Sequence, residues 1–231
     1  MKKTKRNYLL HRTLTGLTAG LILGMLSGPA SAGTIVGTVH DFSTITAPSN
    51  FNGEICNVCH TPHSADTSVS SAPLWDHEVT TQTFTMYSSP TLDATQAAQP
   101  GGVSRLCLSC HDGTVAMDSF GGLTGGIFMT NPDKLIGAGG NLADDHPISI
   151  TYDAALAGVD QGLNDPDATT VTIGEAGDKT RTGTVTALMT SAGSVQCNSC
   201  HDVHNGFTVQ GTPFLKVTTA VSALCLTCHN K

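Results

Sequence analysis

Four copies of one pentapeptide carry the recognisable chemistry of this chain of 231 residues. Each copy holds two cysteines three positions apart and a histidine directly after the second, which is the attachment pattern of c-type haem. The two thiols reach the two vinyl groups of the porphyrin, and the histidine then binds the iron from the proximal face. We therefore predict four covalently bound haem c groups as cofactors. The copies, motifs 1 to 4 in chain order, are Cys56–His60, Cys107–His111, Cys197–His201 and Cys225–His229. The predicted thioether residues are Cys56, Cys59, Cys107, Cys110, Cys197, Cys200, Cys225 and Cys228, and the proximal iron ligands are His60, His111, His201 and His229.

Two other uses of eight cysteines explain less of the pattern. Four cysteine pairs could form two zinc sites of four thiolates each, and cysteines in an exported chain could pair as disulfides. Neither gives a reason for a histidine after every second cysteine. Because the four matches consume every cysteine of the chain, the pattern favours haem.

The remaining histidines are candidates for the distal face of each iron. Without His11, the chain has nine histidines for eight axial positions. This near match favours two histidines on every iron, with one histidine surplus. Methionines compete for the same role but more often pack in apolar interiors. The distal candidates are His40, His63, His77, His146 and His204, and the competing methionines are Met86, Met117, Met129 and Met189.

Spacing constrains two of these candidates. His63 and His204 each follow a proximal histidine by three residues. Side chains at that spacing on a helix have Cβ atoms about 5–6 Å apart, which is too close to face each other across one iron. We therefore expect each to reach an adjacent haem, which forces haems into a stacked pair. Asp202 and nearby backbone carbonyls are the predicted acceptors for imidazole N–H groups.

Residues 1–32 have the features of a secretory signal that is cleaved after export. Five of the eleven basic residues precede an apolar run, Leu14–Leu26, and small residues at Ala30–Ala32 offer a cleavage site. A retained anchor is the alternative, but the run is short for a bilayer span of about 20 residues. We expect a secreted protein, extracellular or at the outer cell surface, with the periplasm as alternative. No later segment of the mature chain is apolar enough to cross a membrane.

Charge limits the partners of the mature chain. Removing the signal leaves six basic against 18 acidic side chains, a formal charge of −12. We therefore do not expect nucleic acid or anionic membrane surfaces as partners. A cationic or metal-bearing redox partner is compatible with this surface.

Residues 33–231 are predicted to form a single tetrahaem domain of the multihaem cytochrome c class. Helical periodicity is weak, so we expect mostly irregular coil with short helices at the motifs. Thr169–Ile173 and Gly183–Leu188 are predicted strands of a small hairpin. The chain has few aromatic residues and many glycines, so it would bury little apolar side-chain surface by itself. We therefore expect the four haems to form the core.

At several separate segments the chain resembles the filament-forming tetrahaem cytochromes of metal-reducing bacteria, the OmcE type. Residues 154–190 contain no such segment and are interpreted as a variable insertion. The segments that carry the resemblance are His40–Ser43, Cys56–Ala65, Ala72–His77, Met86–Ala94, Leu106–Thr114, Asp145–Ser149, Val195–Asn205 and Leu224–Lys231.

The resemblance implies four bis-histidine haems in a continuous chain and a mostly irregular fold. It also implies a homopolymer in which one axial histidine comes from the neighbouring subunit. His40, on a terminal arm, is the residue we assign to that role. The implied function is electron transfer to redox partner proteins and to external acceptors such as metal oxides, and not enzyme catalysis. The alternatives are a soluble periplasmic tetrahaem shuttle and a multihaem reductase with one open haem.

Overall fold

The computed structural model describes residues 34–46, 49–70, 72–175, 178–189 and 193–231. The predicted signal at 1–32 lies outside these residues. Most of the described chain is coil and turn, with a few short helices and two small sheets. This confirms the prediction of a largely irregular fold.

Short α-helices form at three of the four motifs. Helix α1 (Gly102–His111) ends with the histidine of motif 2, and its Leu106 and Leu108 are both buried. Helix α3 lies inside motif 3, where Gln196 and Ser199 each accept the other's backbone N–H at the helix start. Helix α4 covers most of motif 4. The α-helices are α1 (Gly102–His111), α2 (Ala154–Val159), α3 (Cys197–Cys200) and α4 (Ala223–Cys228). The 3-10 helices that lie in the described residues are Phe42–Thr44, Pro132–Lys134, Ala138–Gly140, Val185–Leu188 and Ala220–Ser222.

Motif 1 forms a turn, so the predicted helix there is wrong. The N–H of His60 donates to the carbonyl of Cys56 at 2.8 Å, which closes a single helical turn. Upstream, Asn52 and Gly53 have φ of 48° and 79°, which prevents a helix from leading into the motif. Pro62 follows and disfavours helical backbone at the residue before it.

Two antiparallel pairs make up the sheets. Strand β1 (Ile150–Thr151) pairs with β4 (Ser194–Val195). Strand β2 (Thr170–Gly174) pairs with β3 (Thr180–Thr184), with Val171 opposite Gly183. The predicted hairpin is present, and its first strand lies within one residue of the prediction.

The predicted second strand, Gly183–Leu188, is wrong over most of its length. The chain leaves β3 after Thr184 and turns into the 3-10 helix Val185–Leu188. Val185 and Leu188 are both buried. Residues three apart share a face in a helix and take opposite faces in a strand, so burying both requires the helical turn.

Apolar side chains form three separate clusters. The largest contains Ile150, Tyr152, Val195 and Val217 together with four residues of the β2–β3 region. Half of its buried members therefore come from residues 154–190, the predicted insertion. The second cluster contains Phe51, Val58 and Phe120, and the third contains Phe84, Leu108 and Leu142. Each cluster touches a different motif, through Cys228, Cys59 and Leu108 respectively.

Candidate haem sites

All eight motif cysteines are free thiols. Within the described part of the chain, no group of three or more His, Cys, Asp or Glu side chains is gathered around a point. Neither disulfides nor the four-thiolate zinc sites weighed from the sequence are therefore formed by these residues.

Several of these thiols lie in apolar surroundings. Burial raises the pKa of Cys59 to about 11, with a contribution from Cys56. Burial, together with Cys59 and Asp112, raises the pKa of Cys110 to about 12. Surroundings of this kind suit the apolar edge of a porphyrin.

Motifs 2 and 3 are in direct contact. The neighbouring Cys107 thiol lowers the pKa of Cys197. The backbone N–H of Cys197 donates to Ser104 Oγ at 3.1 Å, and the N–H of Ser104 donates to Gln196 Oε1 at 3.3 Å. Helices α1 and α3 thus bring the cysteines of these two motifs together.

Three motif histidines each have the ring of one distal candidate about 6 Å away. The ring centres of His60 and His204 are 6.0 Å apart. Those of His111 and His40 are 6.2 Å apart. The third pair, His229 and His146, is separated by 6.4 Å.

These separations fit an iron between two imidazoles. Metal–imidazole bonds are about 2 Å long, and the ring centre lies about 1.1 Å beyond the nitrogen, so the two centres should be about 6 Å apart. All three observed distances are close to this value. The donor set therefore fits haem iron.

Hydrogen bonds set the tautomer of three proximal histidines. His111 Nδ1 lies 2.9 Å from the carbonyl of Lys134, and His201 Nδ1 lies 2.7 Å from that of Pro213. His60 Nδ1 bonds the carbonyl of Pro73 in the same way. Because a carbonyl can only accept, Nδ1 must carry the proton, and Nε2 is left with a free lone pair for a metal.

The sequence predicted backbone carbonyls as acceptors but could not name them. Its other suggestion, Asp202, is wrong, because that carboxylate accepts backbone N–H groups of its own loop. Pro73 and Pro213 were missed. A proline 12 or 13 residues after the histidines of motifs 1 and 3 is the signal that could have found them.

Motifs 1 and 3 are built alike over about 20 residues. After the proline, Leu74 and Phe214 have φ of 53° and 59°. The carbonyl of each accepts the N–H of the residue after the proximal histidine, from Thr61 and Asp202, at 2.9 Å in both cases.

The likeness extends to the second histidine of each motif. Ser64 follows His63 and Asn205 follows His204, and these two residues have φ of 57° and 52°. His63 and His204 are therefore equivalent positions of a local structural repeat.

The remaining histidines differ in their surroundings. His77 is only 2% exposed, and its Nδ1 and Nε2 lie 2.8 Å and 3.1 Å from the carbonyls of Glu78 and Ala116. His63 is exposed. Among the described residues, no imidazole faces His201 at the distance of the three pairs.

His40 lies against a motif of its own chain, whereas the sequence assigned it to a neighbouring subunit. Its ring packs on Phe214 at 5.2 Å and on Phe42 at 6.1 Å, in addition to His111. Burial, assisted by the charge of His111, lowers the pKa of His40 to about 4. The ring is therefore neutral at physiological pH, which is the form that binds metals.

Comparison with known proteins supports the interpretation of the motifs. A family model described as a doubled CXXCH motif matches residues 190–231, which contain motifs 3 and 4. A search of curated proteins finds no match. Over the described residues, no helix is long and apolar enough to span a bilayer. The paired motif indicates a multihaem c-type cytochrome, in which CXXCH motifs bind haem covalently for electron transfer.

Proposed function

We propose that this chain is an electron-transfer protein with four bis-histidine haems and that it assembles into an extracellular filament. The observation that carries the proposal is the set of three histidine pairs at 6.0, 6.2 and 6.4 Å. When bound, each haem supplies an iron that takes up and returns one electron. The chain binds the group, orients its ligands and covers its faces.

From these pairs we propose the ligands of three sites. His204 serves motif 1, His40 serves motif 2 and His146 serves motif 4. Histidines on both faces leave no position for a substrate on these irons, which supports electron transfer over catalysis. His77 is then the surplus histidine, because both of its nitrogens contact backbone carbonyls.

The fourth site, at His201, takes its second histidine from another copy of the chain. The structural repeat makes His63 equivalent to His204, which faces a proximal histidine. His63 is exposed and lies opposite no motif histidine of its own chain. His63 of one subunit and His201 of the next therefore join two subunits. This reassigns to His63 the cross-subunit role given to His40 from the sequence.

A linkage of this kind propagates. Each subunit offers one His63 and one His201, which are different surfaces, so the contact is head to tail and builds a filament when it does not close into a ring. With the signal at 1–32, the filament lies outside the cell. Redox partner proteins donate electrons to it there, and acceptors such as metal oxides take electrons from it.

Electron microscopy of His63→Ala tests the assembly. The wild-type protein should form filaments, and the variant should sediment as monomers in which about a quarter of the haem is high-spin because one iron of four has lost a ligand. His77→Ala is the matched control and should still form filaments. Wild-type monomers at high concentration, with all haem low-spin, would refute the filament and leave the soluble shuttle.

His201 also supports a second candidate function. With no imidazole of the described chain facing it, this site could hold a five-coordinate iron open to a small substrate, as in a multihaem reductase. Carbon monoxide distinguishes the two, since it binds rapidly to a reduced iron that has an open position. Stoichiometric binding to one haem of the assembled wild-type protein would favour the reductase.

A further inference from the structure

The residue directly after each proximal histidine differs among the four motifs. Motifs 1 and 4 continue with Thr61 and Asn230, whereas motifs 2 and 3 continue with Asp112 and Asp202. Consecutive Cα atoms are about 3.8 Å apart, so these two carboxylates lie on the order of 10 Å from any iron held by the adjacent histidine. The chain thus places a negative charge beside two sites and none at the same position of the others.

Asp112 is the more deeply buried of the two carboxylates. It is 3% exposed and accepts three hydrogen bonds. The backbone N–H and the hydroxyl of Thr114 donate to Oδ1 at 2.7 and 2.8 Å, and the hydroxyl of Thr80 donates to Oδ2 at 2.6 Å. An ionised carboxylate only accepts hydrogen bonds, so three donors suit the charged form.

Among the described residues, no positive group forms an ion pair with Asp112. The ion pair found among the described residues joins Lys231 and Asp160, far along the chain. Arg105, on the same helix as His111, donates to the backbone carbonyl of Thr80 at 2.8 Å and forms no ion pair with Asp112. The charge of Asp112 is therefore shielded from water and is not neutralised by an ion pair within the described part of the chain.

Asp202 has different surroundings. It is only partly buried, and its carboxylate interacts with Lys216. Burial lowers the pKa of Lys216, and the charge of Asp202 opposes that lowering. A nearby cation and contact with solvent both weaken the field of this carboxylate at motif 3.

We infer that the buried negative charge of Asp112 lowers the reduction potential of the haem at motif 2 relative to its neighbours. The inference rests on the proposed haem between His111 and His40. A negative charge favours the oxidised, more positive iron, and burial strengthens the effect because little solvent screens it. A full charge at roughly 10 Å, with an effective dielectric constant of about 20, shifts the ratio of oxidised to reduced iron on the order of tenfold.

A potentiometric titration of Asp112→Asn tests this inference. One of the four midpoint potentials should rise by the equivalent of about a tenfold ratio, about 59 mV for one electron. The rise should persist at about 0.5 M salt, because a buried charge is weakly screened. Asp202→Asn is the matched control and should give a smaller, salt-sensitive rise.

A second control separates charge from loosened structure. Thr80→Val removes one donor to the carboxylate and keeps its charge, so no midpoint should rise. If Thr80→Val and Asp112→Asn raise a midpoint equally, or if Asp112→Asn raises none, the inference is wrong. If Asp112→Asn gives no mature protein, Thr61→Asp tests the inference at the equivalent position of motif 1. The added carboxylate should lower one midpoint potential, and unchanged midpoint potentials would overturn the inference. The intact mass reports the haem count independently, so loss of the proposed haems is distinguished from an unshifted potential.

Discussion

Replacing His40 by alanine distinguishes the two assignments of this residue. In the structure its ring lies 6.2 Å from that of His111 in the same chain. The substitution should therefore remove one ligand from the motif 2 iron of every subunit and leave the contact between subunits intact. We expect filaments of normal length in which about a quarter of the haem is high-spin, because three of four irons keep both histidines.

The variant should remain folded. His40 is half-buried and packs on Phe42 and Phe214. Truncating such a side chain typically lowers the free energy of unfolding by about 1–2 kcal/mol. That is a fraction of the roughly 5–15 kcal/mol that stabilises an ordinary domain. Haem attachment through Cys107 and Cys110 should be unaffected, so the intact mass should fall only by the difference between histidine and alanine.

Electron paramagnetic resonance of the oxidised protein measures the high-spin fraction, and negative-stain microscopy measures assembly. Two outcomes would refute the reasoning. An unchanged spectrum would show that His40 is not a ligand. Soluble subunits with a quarter of the haem high-spin would show that His40 serves a neighbouring subunit, and the pairing with His111 would then be wrong.

Three further results are expected. His77→Ala should leave all haem low-spin, since both of its nitrogens contact carbonyls, although losing a buried, hydrogen-bonded ring should lower the free energy of unfolding by about 2 kcal/mol in a urea titration. Phe51→Ala should lower the free energy of unfolding by about 3–5 kcal/mol in the same urea titration, because Phe51 is fully buried and stacks on Phe42 at 4.9 Å. Phe128 is 46% exposed, so Phe128→Ala should change the free energy of unfolding by less than about 0.5 kcal/mol. Burial opposes ionisation of Asp118, but backbone N–H donors, among them those of Ile127 and Gly126, hold its pKa below 3.8. Its stabilising effect is therefore complete above about pH 4–5 and is lost as pH falls through the folded pKa, so wild type and Asp118→Asn should converge in urea midpoint in acid.

The motifs could be predicted from sequence because their chemistry is local. Two thiols and a histidine within five residues suffice to indicate a haem site, and a short helical turn is the natural backbone for that spacing. The one failure, at motif 1, has a local cause that was visible in part. Gly53 upstream and Pro62 downstream both disfavour a helix.

The pairing of histidines could not be predicted, because it depends on tertiary contacts. His40 and His111 are far apart in the chain, and no spacing rule connects them. The sequence excluded His63 and His204 from their own motifs, but it could not show that only His204 faces another motif of the same chain. The prediction of a strand at Gly183–Leu188 was wrong for a related reason, since Val185 and Leu188 pack on residues from distant segments.

The acceptors that hold the proximal imidazoles belong to the main chain of Lys134, Pro73 and Pro213. No substitution of a side chain deletes a peptide oxygen. The residues of the loops that follow the motifs can therefore change during evolution while each proximal imidazole keeps its orientation and its tautomer. A search for distant relatives should weight the length of these loops, and the turn that ends each one, above the identity of the residues within them.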